Sequence, residues 1–160
     1  MKIICQTDEV IEIAGDTLVG AHLDGMNLHR ALLEGQDMQD ASLVGTDLRG
    51  ASVSGANLSR ANLNRASLIT AFFMRILLKN AHLIGSRAIG CLFDNADLRG
   101  ANFSEADISG ASFREARLEG AILLGVQLER ARFAGALFDQ TTKWPTGFDP
   151  IAAGAIKAET

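Results

Sequence analysis

The side chains able to do chemistry here are few. His22, His29 and His82 are the candidate metal ligands or general bases, and Cys5 and Cys91 are the candidate nucleophiles. Metal sites draw donors from tight spacings such as paired cysteines or HExxH, because two ligands must reach one ion. Neither spacing occurs, and no GxxxxGK[ST] phosphate loop or GxGxxG dinucleotide turn is present. Asp37, Asp47, Asp97 and Asp107 could act as general acids or bases, but each occupies the same slot of a repeat, where hydrogen bonding to backbone is the plainer role. These observations imply no catalytic residue, no cofactor and no metal ion.

What positions these residues is a five-residue period. From Ala96 the chain reads ADLRG ANFSE ADISG ASFRE AR, and counting in fives from Asp16 gives 25 consecutive units ending at Gln140, with no insertion or deletion. A helix returns to one face after 3.6 residues and a strand after 2.0, so a period of five demands a chain that turns regularly. The third position is Leu in 15 units and Phe in six, with Met38, Val53, Ile108 and Ala88 as the rest, which marks a buried column. The first position is Ala in 17 units and marks a second, tighter interior column. The fifth is Gly in 13 units, as expected of a corner at positive φ. Second and fourth positions are mostly polar and face outward.

ADLRG at 96–100, ANLSR at 56–60 and ANLNR at 61–65 carry the pattern Ala, Asp or Asn, Leu, any, any, and the chain resembles the pentapeptide-repeat family over residues 16–140. The resemblance implies an all-β fold, a right-handed quadrilateral parallel β-helix with four units per coil. Twenty-five units then make about six coils, and a rise of roughly 4.8 Å per coil gives a rod about 30 Å long. On that geometry His22 and His82 share a side but stand roughly 14 Å apart, too far to hold one ion. Cys91 takes an inward slot in place of Ala. Open ends need caps. Residues 1–15, with apolar stretches Ile3–Cys5 and Val10–Ile13, read as an N-terminal strand or hairpin cap. Residues 141–160 read as a C-terminal cap: Trp144 and Phe148 supply cover, and Asp149 and Pro150 open a short helix.

The formal charge is −4 with both signs interspersed, so nucleic acid is not an expected partner. The opening MKIIC is too short for a signal-peptide core and no apolar run is long enough to span a membrane, so a cytoplasmic, bacterial protein without membrane contact is expected. Some family members protect DNA gyrase from quinolones by resembling duplex DNA, but residues 16–140 hold 14 acidic and 12 basic side chains, a weak match to a duplex. Gyrase or topoisomerase is therefore the alternative partner, not the favoured one.

One stretch breaks the polar rule for outward positions. Between Ile69 and Phe93, the second and fourth slots hold Ile69, Phe72, Met74, Leu77, Ile84, Ile89 and Leu92. Four units per coil would place Phe72 below Leu92 and Ile69 below Ile89, with Met74 and Leu77 beside them, so Ile69, Phe72, Met74, Leu77, Ile89 and Leu92 form the candidate partner surface. Leu32 would lie on the same side, two coils away. A contiguous patch of this kind suits a protein partner or self-association; the open alternatives are cover by a terminus or a tolerated apolar surface. The expected role is that of a rigid, non-enzymatic binding or scaffold module.

Overall fold

The computed structural model describes residues 1–159. Each second-position residue from His22 onward bridges in parallel to the residue twenty positions later: His22 to Ser42, Ser42 to Asn62, and so on to Arg117 and Leu137. Twenty residues are four pentapeptides, so each unit forms one side of a square coil. The step is unbroken through Phe72 and Leu77, where the outward pattern turns apolar.

Backbone chemistry explains the coil. The third residue donates its N–H to the coil above, as Leu23 does to the Ser42 carbonyl at 2.7 Å, and the second residue donates to the coil below, as Ser42 does to Ala21 at 2.9 Å. At most corners the first residue of a unit donates back across the turn, as Ala51 does to Leu48 at 3.0 Å. Only the second central residue of that turn, Gly50, has positive φ, the type II arrangement. Asn80 and Asn95 take the same conformation at φ 55° and 60°.

The interior is the stack of third- and first-position side chains. Phe73, Phe93, Phe113 and Phe133 occupy one column on successive coils and are fully buried. Phe93 and Phe113 stack at 5.0 Å and Phe113 and Phe133 at 5.2 Å, close to the spacing of roughly 4.8 Å that the ladder imposes. Leu128 is only half-buried, because no further coil continues over its side.

The two ends are closed differently. Strand β1 (Lys2–Cys5) pairs antiparallel with β2 (Val10–Glu12) and with β3 (Ala31–Leu32), so a hairpin is laid on the rim of the first coil. Ile3 and Cys5 point into the core. At the far end the frame gains one residue after Gln140, so that Ile122 bridges Lys143. Asp139 holds this turn, its Oδ1 accepting from the N–H groups of Gly120, Thr141 and Thr142. Trp144 and Phe148 lie edge-on over Phe133 at 5.3 and 5.5 Å. Strand β5 (Ile156–Lys157) then runs parallel to β4 (Leu137–Phe138).

The expected C-terminal helical cap does not form, and no helix is present among the described residues. Asp149 does act as a cap, accepting from the N–H groups of Ile151 and Ala152 at 3.0 Å, but the turn stops at once. Gly154, at φ 86°, lies so close to the rod that a Cβ would sit 3.3 Å from the Ala134 Cα, and its carbonyl accepts from Gly135 N–H. Pairing of β5 with the last coil takes the place of further helical turns, which a segment this short could not sustain alone.

Candidate functional site

The repeat settles which side chains face water, and hydrogen bonding accounts for most of the polar ones. Second-position Asp and Asn accept from the backbone N–H two residues on: Asp37 from Gln39, Asp47 from Arg49, Asp97 from Arg99 and Asp107 from Ser109. These are Asx turns that steady each corner. Hydrogen bonds from the Arg49 guanidinium hold the Asp47 carboxyl below its ordinary range. At Asp97 burial works to raise the pKa and is outweighed by the Arg99 guanidinium, the Arg99 N–H and Lys79, so the net shift is downward. The four carboxylates are thus structural acceptors that do not converge on a common point.

The other chemically capable residues are likewise dispersed. His22 and His82 are three rungs apart on one side of the rod, and among the described residues no three His, Cys, Asp or Glu side chains gather in a metal-binding group. Cys91 is buried, and burial pushes its thiol well up. Cys5, on the inward face of β1, is buried, and burial followed by the Glu9 charge raises its pKa.

The apolar positions, by contrast, come together. Phe72 bridges Leu92, and the N–H of Thr70 donates to the Ile89 carbonyl, setting Ile69 and Ile89 on adjacent coils at the corner before them. Met74 follows Phe72 on the same side and Leu77 lies around the next corner. Phe72 and Leu77 are each 40% exposed, while Ile69, Met74, Ile89 and Leu92 are half-buried. Among the described residues neither terminus covers them: the hairpin pairs at the first coil and the tail at the last.

The structure adds two residues that the sequence pattern missed. Ile4 of β1 is paired directly with Leu32 of β3 and, on its other edge, with Val10 of β2. Directly paired residues point to the same side of a sheet, so Val10, Ile4 and Leu32 continue the outward column of Ser52, Phe72 and Leu92. Val10 is 49% exposed, Ile4 52% and Leu32 40%. The hairpin therefore lengthens this side of the rod into a sheet whose outer ridge, interrupted only at Ser52, runs roughly 24 Å. Alternation in Lys2–Cys5 could have shown Ile4 facing outward; its register on the rim could not be read from the repeat.

Residues 18–55, 41–80, 76–114 and 111–141 match the family described as Pentapeptide repeats, in eight copies. No curated protein sequence matches the chain. Among solved structures, HetL, a pentapeptide repeat protein involved in heterocyst differentiation regulation from the cyanobacterium Nostoc sp. strain PCC 7120, is 22% identical, with 84% of this chain and 80% of HetL covered and a TM-score of 0.55. A trypsin-treated form of QnrB1, a plasmid-mediated fluoroquinolone resistance protein, is 15% identical, with 91% of this chain and 88% of that one covered and a TM-score of 0.59. A second trypsin-treated form is 18% identical, with coverages of 82% and 71% and a TM-score of 0.57. At these identities the likeness is one of fold.

Proposed function

The chain belongs to the pentapeptide-repeat family, whose members form right-handed quadrilateral β-helices, and from that premise we propose that it is a rigid, non-enzymatic binding or scaffold module of the bacterial cytoplasm. Its rod of about six coils would present the Phe72 side to a protein partner. The observation that carries this reading is the exposure of Phe72 and Leu77 in two adjacent columns, the first of which holds Ser52 and Ser112 on other coils and the second Asp37, Asn57 and Asp97. Replacing Phe72 and Leu92 together with serine tests it. Sedimentation velocity and affinity capture should show loss of a bound protein or of self-association while the circular dichroism spectrum is unchanged. A double variant that keeps every associate of the parent chain refutes the reading.

A second reading is a DNA-mimicking interactor of DNA gyrase or another topoisomerase. The fold likeness to QnrB1 favours it, and the near balance of 14 acidic and 12 basic residues over 16–140 weighs against it. Rescue of a fluoroquinolone-treated gyrase in a supercoiling assay would establish it in place of the first.

A further inference from the structure

The corner that leads into the Phe72 side is not a smooth ridge. His29 and Arg30 stand on one coil, Arg49 and Gly50 on the next, and Ile69 and Thr70 on the third. Because Gly50 has no side chain, an open trough of about 480 Å³ runs over it, walled by Ile69 and Phe72 and closed toward the hairpin by Gln6. The Arg30 stem crosses the floor, its Cγ 3.5 Å from where a Gly50 Cβ would stand. Arg49 is occupied by Asp47 at 2.6 Å. Arg30 has no ion pair among the described residues, so the trough sets an unpaired guanidinium beside an apolar wall on a chain of formal charge −4.

A second, independent oddity lies in the same wall. Thr70 is a β-branched residue at φ 54°, a conformation in which such side chains are outliers. The coils on either side place Gly50 and Gly90 at this corner. Strain of this kind is a recurrent mark of functional surfaces.

We propose that the trough is a docking site for an extended protein segment in which an acidic side chain is flanked by aliphatic ones, the carboxylate pairing with Arg30 and the aliphatic groups lying on Ile69 and Phe72. This rests on the reading of the Phe72 side as a protein-contact surface and specifies the partner's chemistry. A fork-shaped guanidinium matches a carboxylate in two parallel hydrogen bonds. The trough is open to solvent and closed only toward the hairpin, which suits an extended chain better than a small molecule that needs enclosure.

The test uses the full chain and fluorescent peptides of about eight residues in which one face of the extended chain carries leucine, then glutamate, lysine or serine, then leucine at alternate positions with serine between them, read by fluorescence anisotropy. The glutamate series should bind best and weaken as salt is raised. Arg30→Glu should weaken it at least about fivefold and turn preference toward the lysine series. Glu105 and Glu115 already hold positive φ at corners, so this variant should keep the fold. Gly50→Asn puts at this corner the residue type that Asn80 and Asn95 already place at theirs, and should fill the floor and weaken every series. Equal binding of the glutamate and lysine series, or an unchanged preference in Arg30→Glu, overturns the proposal. So does a self-associating chain whose dimer, in place of peptide, is what Arg30→Glu abolishes. If Phe72→Ser with Leu92→Ser loses a partner that Arg30→Glu retains, the contact surface stands and the trough does not.

Discussion

Replacing Phe113 with alanine should destabilise the rod more than the same change at Phe73, by an amount set by ring contacts. Both side chains are fully buried, so both lose transfer free energy and leave a cavity, together about 3 to 5 kcal/mol. Phe113 has three ring neighbours: Phe93 and Phe133 stacked at 5.0 and 5.2 Å, and Phe103 edge-on at 5.8 Å. Phe73 has one, Phe93 at 5.6 Å. Each ring pair adds about 0.5 to 1.5 kcal/mol beyond burial, so two extra pairs should separate the variants by roughly 1 to 3 kcal/mol. Urea titration followed by circular dichroism measures this. With a slope of about 2 kcal/mol per molar, the Phe113→Ala midpoint should lie roughly 1 M below that of Phe73→Ala. A Phe93/Phe113 double-mutant cycle should return a coupling of about 1 kcal/mol. If Phe113→Ala costs no more than Phe73→Ala, the column is a set of independent hydrophobes and the reasoning fails.

Ala101→Leu forces a large side chain into the tight column, where Ala101 is fully buried, and should cost about 1 to 3 kcal/mol in the same titration. Trp144→Ala uncovers Phe133 and Phe138, whose rings it meets at 5.3 and 5.7 Å, and should lower stability by about 3 kcal/mol; an unchanged Tm would make Trp144 a surface ornament. Asp97 and Asp139 have folded-state pKa values below their unfolded ones, Asp97 with burial opposing and Arg99 prevailing, Asp139 chiefly through the Thr141 hydroxyl. Their contribution is therefore complete above about pH 4 and lost as pH falls through the depressed values. Acid titration of Asp97→Asn should be flatter than that of the parent below about pH 4.

Much of the molecule is legible from the five-residue frame, because every unit obeys the same local rule and no long-range pairing need be guessed. Burial of Leu63 or Phe103 and the outward placement of Asn62 or Ser104, both half-buried, follow from slot alone. The ends obey no such rule. Asp149 and Pro150 look like a helix start, and Asp149 does cap a turn, yet close approach of Gly154 to Ala134 and pairing of β5 decide the outcome. Local preference lost to tertiary contact there. The hairpin is similar: its apolar stretches are plain in the sequence, but that Ile4 lies beside Leu32 depends on where β1 lands on the rim. From the repeat the patch could be read between Ile69 and Leu92, with Leu32 on the same side, and its extension past Leu32 through Ile4 to Val10 could not.

A stacked coil also separates what the fold needs from what the surface displays. The ladder sets residue i beside residue i+20 whatever the side chains are, so an outward slot accepts a polar residue without loss of backbone hydrogen bonds. The column of Phe72 contains Ser52 and Ser112 on the same ladder, which shows that this position makes no demand for a large apolar group. Interior packing cannot explain Phe72 either, since 40% of it is open to solvent while Phe73 fills the core beneath. The part of such a side chain left in water contributes nothing to folding and favours unwanted association. The fold alone therefore gives no reason for Phe72, Leu77 and Leu92, and contact with another molecule is the account proposed for them.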